Sequence, residues 1–147
     1  MSTSYAFDTR QLVKQYLHAL MARDVPALLA CFADTVDWDI PGAQELAPWL
    51  GPRRTRNEIE EFYAQLFQQT EPVTAQLDYL LVDGPVAVVT GSFSTIMTRT
   101  GRLFSSRLCM QIVFEADKIT HYRLLEDTLA LARALEARPA TSDRLEM

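Results

Sequence analysis

The chain has 147 residues, of which 48% are apolar and 22% are charged. A domain of this length buries enough surface to fold without disulfides or a structural metal, which excludes the small proteins that depend on them. The 14 Lys and Arg against 19 Asp and Glu give a net charge of −5, which disfavours nucleic acids and anionic membranes as partners. No run reaches the roughly 18 apolar residues of a membrane-spanning helix, and the first residues lack a signal-peptide pattern. We therefore expect a cytoplasmic protein.

The two cysteines, Cys31 and Cys109, lie far apart in apolar surroundings. Neither belongs to a Cys-x-x-Cys pair or lies near a histidine at metal-ligand spacing. We expect two buried, reduced thiols and no metal site.

Three helices are predicted in the first half of the chain. Residues 9–23 place apolar side chains at the spacing of one helix face. Asp24 can cap a second, short helix that closes before Asp34, and Thr55 with Glu58 has the pattern of a capping box that opens a third.

One strand is predicted between the second and third helices. Residues 35–40 alternate apolar and polar side chains, with Trp38 on one face and Asp37 and Asp39 on the other. Residues 43–54 are rich in Pro and Gly, which predicts a loop with at most a short strand.

The second half of the chain is β-rich. Four runs separated by short turns predict an antiparallel meander: 75–82, 86–99, 102–115 and 118–126. A last helix follows at about 128–138, and residues 139–147 have the composition of a polar tail. This order predicts one α+β domain, residues 1–138, with helices packed on one face of a curved sheet.

Two turns suggest a register for the last three strands. A two-residue turn at Thr100-Gly101 would pair Met97 with Phe104, Phe93 with Leu108, Gly91 with Met110 and Val89 with Ile112. A turn at Ala116-Asp117 would pair Glu115 with Lys118, Ile112 with His121, Met110 with Arg123 and Arg107 with Glu126. His121 and Arg123 would then point into the concave side of the sheet, whereas a slip of one residue would expose them.

Three segments together resemble a known superfamily. They are RDVPALLACFADTVDWDIPG, GPRRTRNEIEEFYAQL and, at the end of the strands, KITHYRLLEDT. The chain resembles, over nearly its whole length, the SnoaL-like proteins of the nuclear transport factor 2-like superfamily, which includes ketosteroid isomerases, epoxide hydrolases and polyketide cyclases. The resemblance implies a cone-shaped antiparallel sheet around a pocket, three N-terminal helices, a short C-terminal helix, and a homodimer packed through the sheet. Because this fold hosts many reactions and also non-enzymes, it does not by itself give the activity.

The resemblance implies roles for some residues and leaves others open. Tyr16 matches the tyrosine of the ketosteroid isomerases, and either Trp38 or Asp39 matches their general base. Met110 stands where they carry a protonated aspartate, and a thioether cannot donate that hydrogen bond. Steroid isomerisation is therefore not predicted.

The candidate site follows from the register and the resemblance together. Its catalytic candidates are Tyr16, Asp39 and His121, and its ligand-binding candidates are Trp38, Met110, Arg123 and Phe93. In the alternative interpretation Tyr16 and Trp38 only fill the core, and Arg123 forms a structural ion pair with Asp39, Glu126 or Asp127.

Two functions remain open at this point. One is a cofactor-free isomerase, lyase or cyclase that uses acid/base chemistry on a small apolar or polycyclic molecule. The other is a non-catalytic module for binding a small molecule or for dimerisation. In either case we expect a homodimer through the outer sheet face, which would carry Ser105, Arg107, Cys109, Gln111, Tyr122 and Leu124.

Overall fold

A computed structural model describes the backbone of residues 2–136 and the side chains of residues 8–136. The helices are α1 (Ser2–Met21), α2 (Val25–Ala30), α3 (Arg56–Gln69) and α4 (Thr128–Leu135). The strands are β1 (Phe32–Ile40), β2 (Gly51–Thr55), β3 (Thr70–Asp83), β4 (Val86–Met97), β5 (Leu103–Glu115) and β6 (Lys118–Glu126). They form one sheet in the order β2-β1-β6-β5-β4-β3, so the predicted α+β class is confirmed. The predicted tail, 139–147, lies outside the described residues.

Helix boundaries follow the capping residues seen in the sequence. The Asp24 carboxylate accepts a hydrogen bond from the backbone of Ala27 at the start of α2. Thr55 and Glu58 form the reciprocal capping box of α3, and Asp127 caps α4. Helix α2 ends earlier than predicted, and β1 already begins at Phe32.

Strand β1 joins the sheet beside β6, and these two strands run parallel. Along β1 the side chains of Val36, Trp38 and Ile40 are buried against the helices, while Asp37 is exposed. The predicted alternation of this strand is therefore confirmed.

The register between β4 and β5 differs from the predicted one by two residues. The observed pairs are Thr95 with Phe104, Gly91 with Leu108, Val89 with Met110 and Ala87 with Ile112. The predicted two-residue turn is wrong because the chain closes a longer one, in which the backbone N–H of Gly101 donates to the carbonyl of Met97. A shift of two residues keeps every side chain on its face, so the predicted apolar face survives.

The register between β5 and β6 contains a bulge that the prediction missed. Glu115 pairs with Lys118 as predicted, across a turn in which Ala116 and Asp117 both have positive φ. The pairing then shifts between Phe114 and Val113, where β6 carries one extra residue. From this point Ile112 pairs with Tyr122, Met110 with Leu124 and Leu108 with Glu126.

The bulge reverses the face of the sheet on which each later side chain of β6 lies. The predicted inward positions of His121 and Arg123 are wrong, because an extra residue moves each later side chain to the opposite face. Tyr122, Leu124 and Glu126 take the inward positions instead. The sequence analysis places Tyr122 and Leu124 on the outer face. This prediction is wrong, because both side chains lie on the concave face.

Both cysteines are free thiols, but each is only partly buried, so the expectation of full burial is wrong. The Cys31 thiol donates a weak hydrogen bond to the carbonyl of Ala27, one turn back in α2. Within residues 2–136 no helix is both long enough and apolar enough to cross a membrane.

Candidate active site

A cavity of about 470 Å³ lies between the concave face of the sheet and the helices. We call it the central cavity. Its wall is mostly apolar and includes Phe62, Phe93, Met97, Met110 and Leu124. Three titratable side chains lie in this wall: Arg23, Tyr122 and Glu126. A mostly apolar cavity with a few polar groups is the usual form of a small-molecule site.

Glu126 is the last residue of β6 and points inward because of the bulge. Its carboxyl forms no hydrogen bond or ion pair with another described residue, and its cross-strand partner is Leu108. Burial raises the pKa of this carboxyl from 4.5 to about 7, because the ionised form loses its hydration. At neutral pH the group is therefore present in both protonation states.

A second depression, of about 690 Å³, is a shallow groove on the surface near the end of β6. Ser92, Arg107 and Cys109 line it, and it shares Phe93 and Glu126 with the central cavity. We assign the site to the central cavity, because enclosed apolar walls hold a small molecule better than an open groove. The shared wall means that the Glu126 carboxyl is also approached from the surface side.

Three buried tyrosines form a hydrogen-bonded chain that ends at the central cavity. The Tyr16 hydroxyl donates to the Tyr122 hydroxyl over 2.7 Å and lies 2.8 Å from the Tyr63 hydroxyl. Since Tyr16 has a single proton, Tyr63 is the donor of the other bond. Tyr122 accepts from Tyr16, and its own hydroxyl proton has no acceptor among the described residues.

Burial raises the pKa of all three tyrosines well above its ordinary value of 10. The hydroxyls are therefore neutral donors at physiological pH. Trp38 holds the ring of Tyr122 in place: the two rings stack with centroids 4.3 Å apart and an angle of 12° between their planes.

Trp38 lies behind the cavity wall rather than in it. Its indole stacks on Tyr122 and meets Phe62 edge-on at 4.9 Å, and both of these residues line the cavity. Its Nε1 is buried and has no hydrogen-bond partner among the described residues. The structure therefore places Trp38 as support for the wall. Phe93 and Met110 lie in the wall itself.

The other predicted site residues lie on the opposite side of the sheet. Arg123 donates to the Asp37 carboxylate over 2.8 Å, and the His121 Nε2 lies 3.9 Å from the same carboxylate. Asp39 is paired with Arg123 in the ladder between β1 and β6 and also faces away from the central cavity. The structure therefore does not bring Tyr16, Asp39 and His121 together. The alternative interpretation of Arg123 as an ion-paired residue is correct, but its partner is Asp37.

Arg23 is a site residue that the sequence analysis missed. It follows α1 with a φ of 52° and its side chain turns back into the cavity wall. The guanidinium lies over the Phe67 ring, 4.7 Å from its centroid. Burial lowers its pKa, but an arginine remains charged at any physiological pH.

A curved sheet that closes with helices around an apolar cavity places the chain in the nuclear transport factor 2-like class. A nuclear transport factor 2-like protein from Burkholderia xenovorans LB400 is 27% identical, with a TM-score of 0.80 over 89% of this chain and 98% of that one. Another from Burkholderia thailandensis E264 is also 27% identical, with a TM-score of 0.77 over 88% and 98%. A putative isomerase from Rhodopseudomonas palustris is 20% identical, with a TM-score of 0.74 over 86% and 94%, a likeness that shows the fold alone.

Within this class the family is defined by the sequence. The SnoaL-like domain family matches residues 13–122, which is most of the chain. The protein therefore belongs to the SnoaL-like family, as the resemblance of its motifs implied. No curated protein matches the chain significantly.

Proposed function

We propose that the protein binds a small, largely apolar carbonyl compound in the central cavity and catalyses proton transfer on it. The observation that supports this most is Glu126, an unpaired carboxyl in an apolar wall with a pKa of about 7. A catalytic acid or base works best when its pKa lies near the operating pH. The reaction belongs to the cofactor-free isomerase, lyase or cyclase type.

In the proposed step the Glu126 carboxylate takes a proton from a carbon that is acidified by the carbonyl group. The C–H electron pair forms a new C=C bond, and the carbonyl π pair moves to the oxygen, which gives an enolate. Protonated Glu126 then returns the proton to another carbon of the conjugated system. The net change is an isomerisation that needs no oxidant or reductant.

The proposed role of Tyr122 is to donate a hydrogen bond to the oxygen on which the negative charge develops. The bonds from Tyr63 to Tyr16 and from Tyr16 to Tyr122 support this role, because each polarises the next hydroxyl. Tyr16 thus acts through Tyr122 and is a positioning residue. Tyr122 and Glu126 are four residues apart on β6, roughly 13 Å between Cα atoms. This separation favours a substrate in which several conjugated bonds join the oxygen to the reacting carbon.

Deuterium exchange from D₂O into a panel of apolar cyclic enones and aryl ketones, followed by NMR, tests the proposal. The wild type should exchange at least one member of the panel, and Glu126→Gln should slow that exchange about a hundredfold or more. Glu60→Gln, which changes an exposed carboxylate on α3, is the matched control and should exchange at the wild-type rate. Exchange that survives in Glu126→Gln would rule out the assigned base.

The second candidate function is a binding protein without catalysis, and the mostly apolar wall supports it. The same panel separates the two functions. A ligand that raises the midpoint of thermal unfolding but shows no exchange above background would favour the binding protein.

We also propose that the protein is a homodimer through the outer face, which is the face of β3–β6 opposite the central cavity. Exposed apolar side chains support it: Tyr79 is 68% exposed, Leu81 60% and Leu125 45%. Tyr79, Thr90, Cys109 and Leu125 follow one another across the four strands, so the exposed Tyr79 and Leu125 belong to one cross-strand row on this face. Neither the dimer nor the expected cytoplasmic location is tested by the fold, and both stay predictions.

A further inference from the structure

Arg23 brings a permanent positive charge to a cavity that is otherwise mostly apolar. None of the ion pairs between described residues involves Arg23. Within the part of the chain that the structure describes, its hydrogen bonds go only to uncharged groups, the carbonyls of Phe67 and Thr70 and the Thr70 hydroxyl. A half-buried cation without a counter-ion is costly, and an anion from a ligand would compensate that cost.

The hydrogen bonds of Arg23 leave one edge of the guanidinium unused. Nη1 donates over 3.1 Å to each of the two carbonyls, which uses both of its protons. Nη2 donates one proton to the Thr70 hydroxyl over 3.0 Å. The second Nη2 proton and the Nε proton have no partner among the described residues. A carboxylate that binds an arginine with both oxygens needs such a pair of donors.

The backbone at Arg23 also points to a role for this side chain. With a φ of 52°, the residue lies in the left-handed region at the end of a helix, where glycine is the usual choice. Its N–H donates to the Leu20 carbonyl and closes the last turn of α1. Glycine would satisfy the backbone better but would leave the cavity without a cation. The bonds to Phe67 and Thr70 hold the guanidinium against α3 and the start of β3.

Apolar side chains around Arg23 are partly exposed although they line the same cavity. Met21 is 64% exposed, Val73 53% and Leu77 47%, and together they mark the mouth of the central cavity. Arg23 follows Met21 by two residues, while Glu126 lies in the row of Leu77, Gly91 and Leu108. Thr70, which binds Arg23, pairs with Met97 at the other end of β4. Met97 is six residues from Gly91, so the Cα atoms of these two residues are at most roughly 20 Å apart.

We infer that the ligand of the central cavity is an amphipathic carboxylate, whose charged end is bound by Arg23 near the mouth and whose apolar body extends towards Glu126. This inference rests on the proposed binding of a small molecule in the cavity, but not on catalysis. It narrows the substrate class from apolar carbonyl compounds to those that also carry an acid group.

The test compares carboxylates with the primary amides of the same skeleton, in a series of ω-phenylalkanoates of increasing chain length. Binding is followed by calorimetry and by tryptophan fluorescence, to which Trp49 in the cavity wall and Trp38 behind it both contribute. The wild type should bind the best carboxylate at least about tenfold more tightly than its amide, as expected for charge-assisted hydrogen bonds. Arg23→Gln should abolish this preference and leave the amide Kd within about threefold.

The matched control is Arg99→Gln. Arg99 also donates to two backbone carbonyls, those of Leu46 and Leu135, but does not line the central cavity. This variant should keep the wild-type preference. Arg23→Lys, which keeps the charge but loses the two-donor edge, should show a smaller preference than the wild type, and it serves if Arg23→Gln fails to fold.

Three results would overturn the inference: equal affinity of the wild type for acid and amide, a preference that persists in Arg23→Gln, or no binding of any member of the series. Failure of the proposed catalysis looks different. In that case the carboxylate preference would depend on Arg23 as described, while no enolisable ligand would exchange its protons.

Discussion

Ionisation of the Glu126 carboxyl affects the stability of the folded chain. Glu126 is partly buried, and an acid whose pKa is raised by desolvation is more easily protonated in the folded state than in the unfolded one. The protein therefore has its full stability with respect to this group below pH 4.5, and loses stability as the pH rises from 4.5 to about 7. A shift of this size corresponds to about 3 kcal/mol.

We predict that Glu126→Gln removes this loss, because a neutral amide has no ionised form to desolvate. Urea unfolding at about pH 4.5 and about pH 8 measures it. The free energy of unfolding of the wild type should fall between these values by about 3 kcal/mol more than that of Glu126→Gln. Glu60→Gln should follow the wild type. Parallel pH curves for the wild type and Glu126→Gln would show that the carboxyl is not buried as described.

Sequence reasoning found some residues of the cavity and missed the chemically important ones. Phe93 and Met110 were placed correctly, because an error of two residues in the register of β4 and β5 leaves each side chain on its face. Glu126 was missed because a single extra residue in β6 reverses the faces. A signal was present: the apolar residues Ile119, Tyr122 and Leu124 are spaced by three and then two, which strict alternation cannot bury on one side.

At the scale of elements, irregular pairing shapes the sheet around the site. Strand β3 has a register shift between Leu77 and Tyr79, opposite Gly91 of β4. A Cβ atom at Gly91 would lie 2.2 Å from the Gln76 carbonyl oxygen and 3.1 Å from the Leu77 Cα. The β3 backbone comes this close only because position 91 has no side chain. Gly91 also belongs to the cross-strand row that contains Glu126, so this register shift lies next to the wall of the central cavity.

We predict that Gly91→Ala destabilises the protein by about 1–3 kcal/mol, because rigid backbone rather than a side chain must move. Ser92→Ala is the control, since the neighbouring residue points to the other face and should change stability by less than about 0.5 kcal/mol. The measurement is the midpoint of urea unfolding, compared between variants whose unfolding free energy depends on urea concentration with the same slope. Equal midpoints for the two variants would mean that β3 does not approach Gly91 as closely as the structure has it.

Local sequence signals predicted where helices begin better than they predicted which strands pair with one another. The capping residues Asp24 and Thr55 each act over three residues and correctly predicted where α2 and α3 begin. The parallel pairing of β1 with β6 joins residues more than 80 positions apart, as in Asp37 with His121. No turn connects these strands, so no local pattern reports their register. The Arg123–Asp37 ion pair, which depends on that register, could not be predicted.

At the scale of the whole molecule, the two faces of the sheet differ in their side chains. The concave face and the helices enclose a cavity. Arg23 lies near its mouth, and the Glu126 carboxyl, with a pKa of about 7, lies in its wall. The outer face carries apolar side chains that a monomer would leave in water, and the Arg123–Asp37 ion pair lies on the same side of the sheet. A covered outer face would also limit access to the surface groove beside Glu126, so assembly and the chemistry of the cavity are connected through β5 and β6.

We predict that Leu81→Asp converts a wild-type homodimer into a monomer. Leu81 is 60% exposed on β3, and its strand partners lead across the outer face through Val88 and Gln111. An aspartate there would place two like charges near a symmetric interface, whereas apolar contact stabilises it. Sedimentation equilibrium at micromolar concentration measures the effect. Leu129→Asp is the control, because Leu129 is equally exposed, at 59%, but lies on α4.

A monomeric wild type would refute the dimer, and a Leu129→Asp variant that alone dissociates would place the interface on α4 instead. The central cavity is formed by one chain, so a folded monomer should keep the carboxylate preference that depends on Arg23. If Leu81→Asp is monomeric and also loses this preference, the second copy must be holding β3 in place. In β3, Val73 and Leu77 line the cavity mouth. This strand lies at one edge of the sheet and has little burial of its own. Binding and oligomeric state measured on the same variant therefore decide whether the site is complete within a single chain.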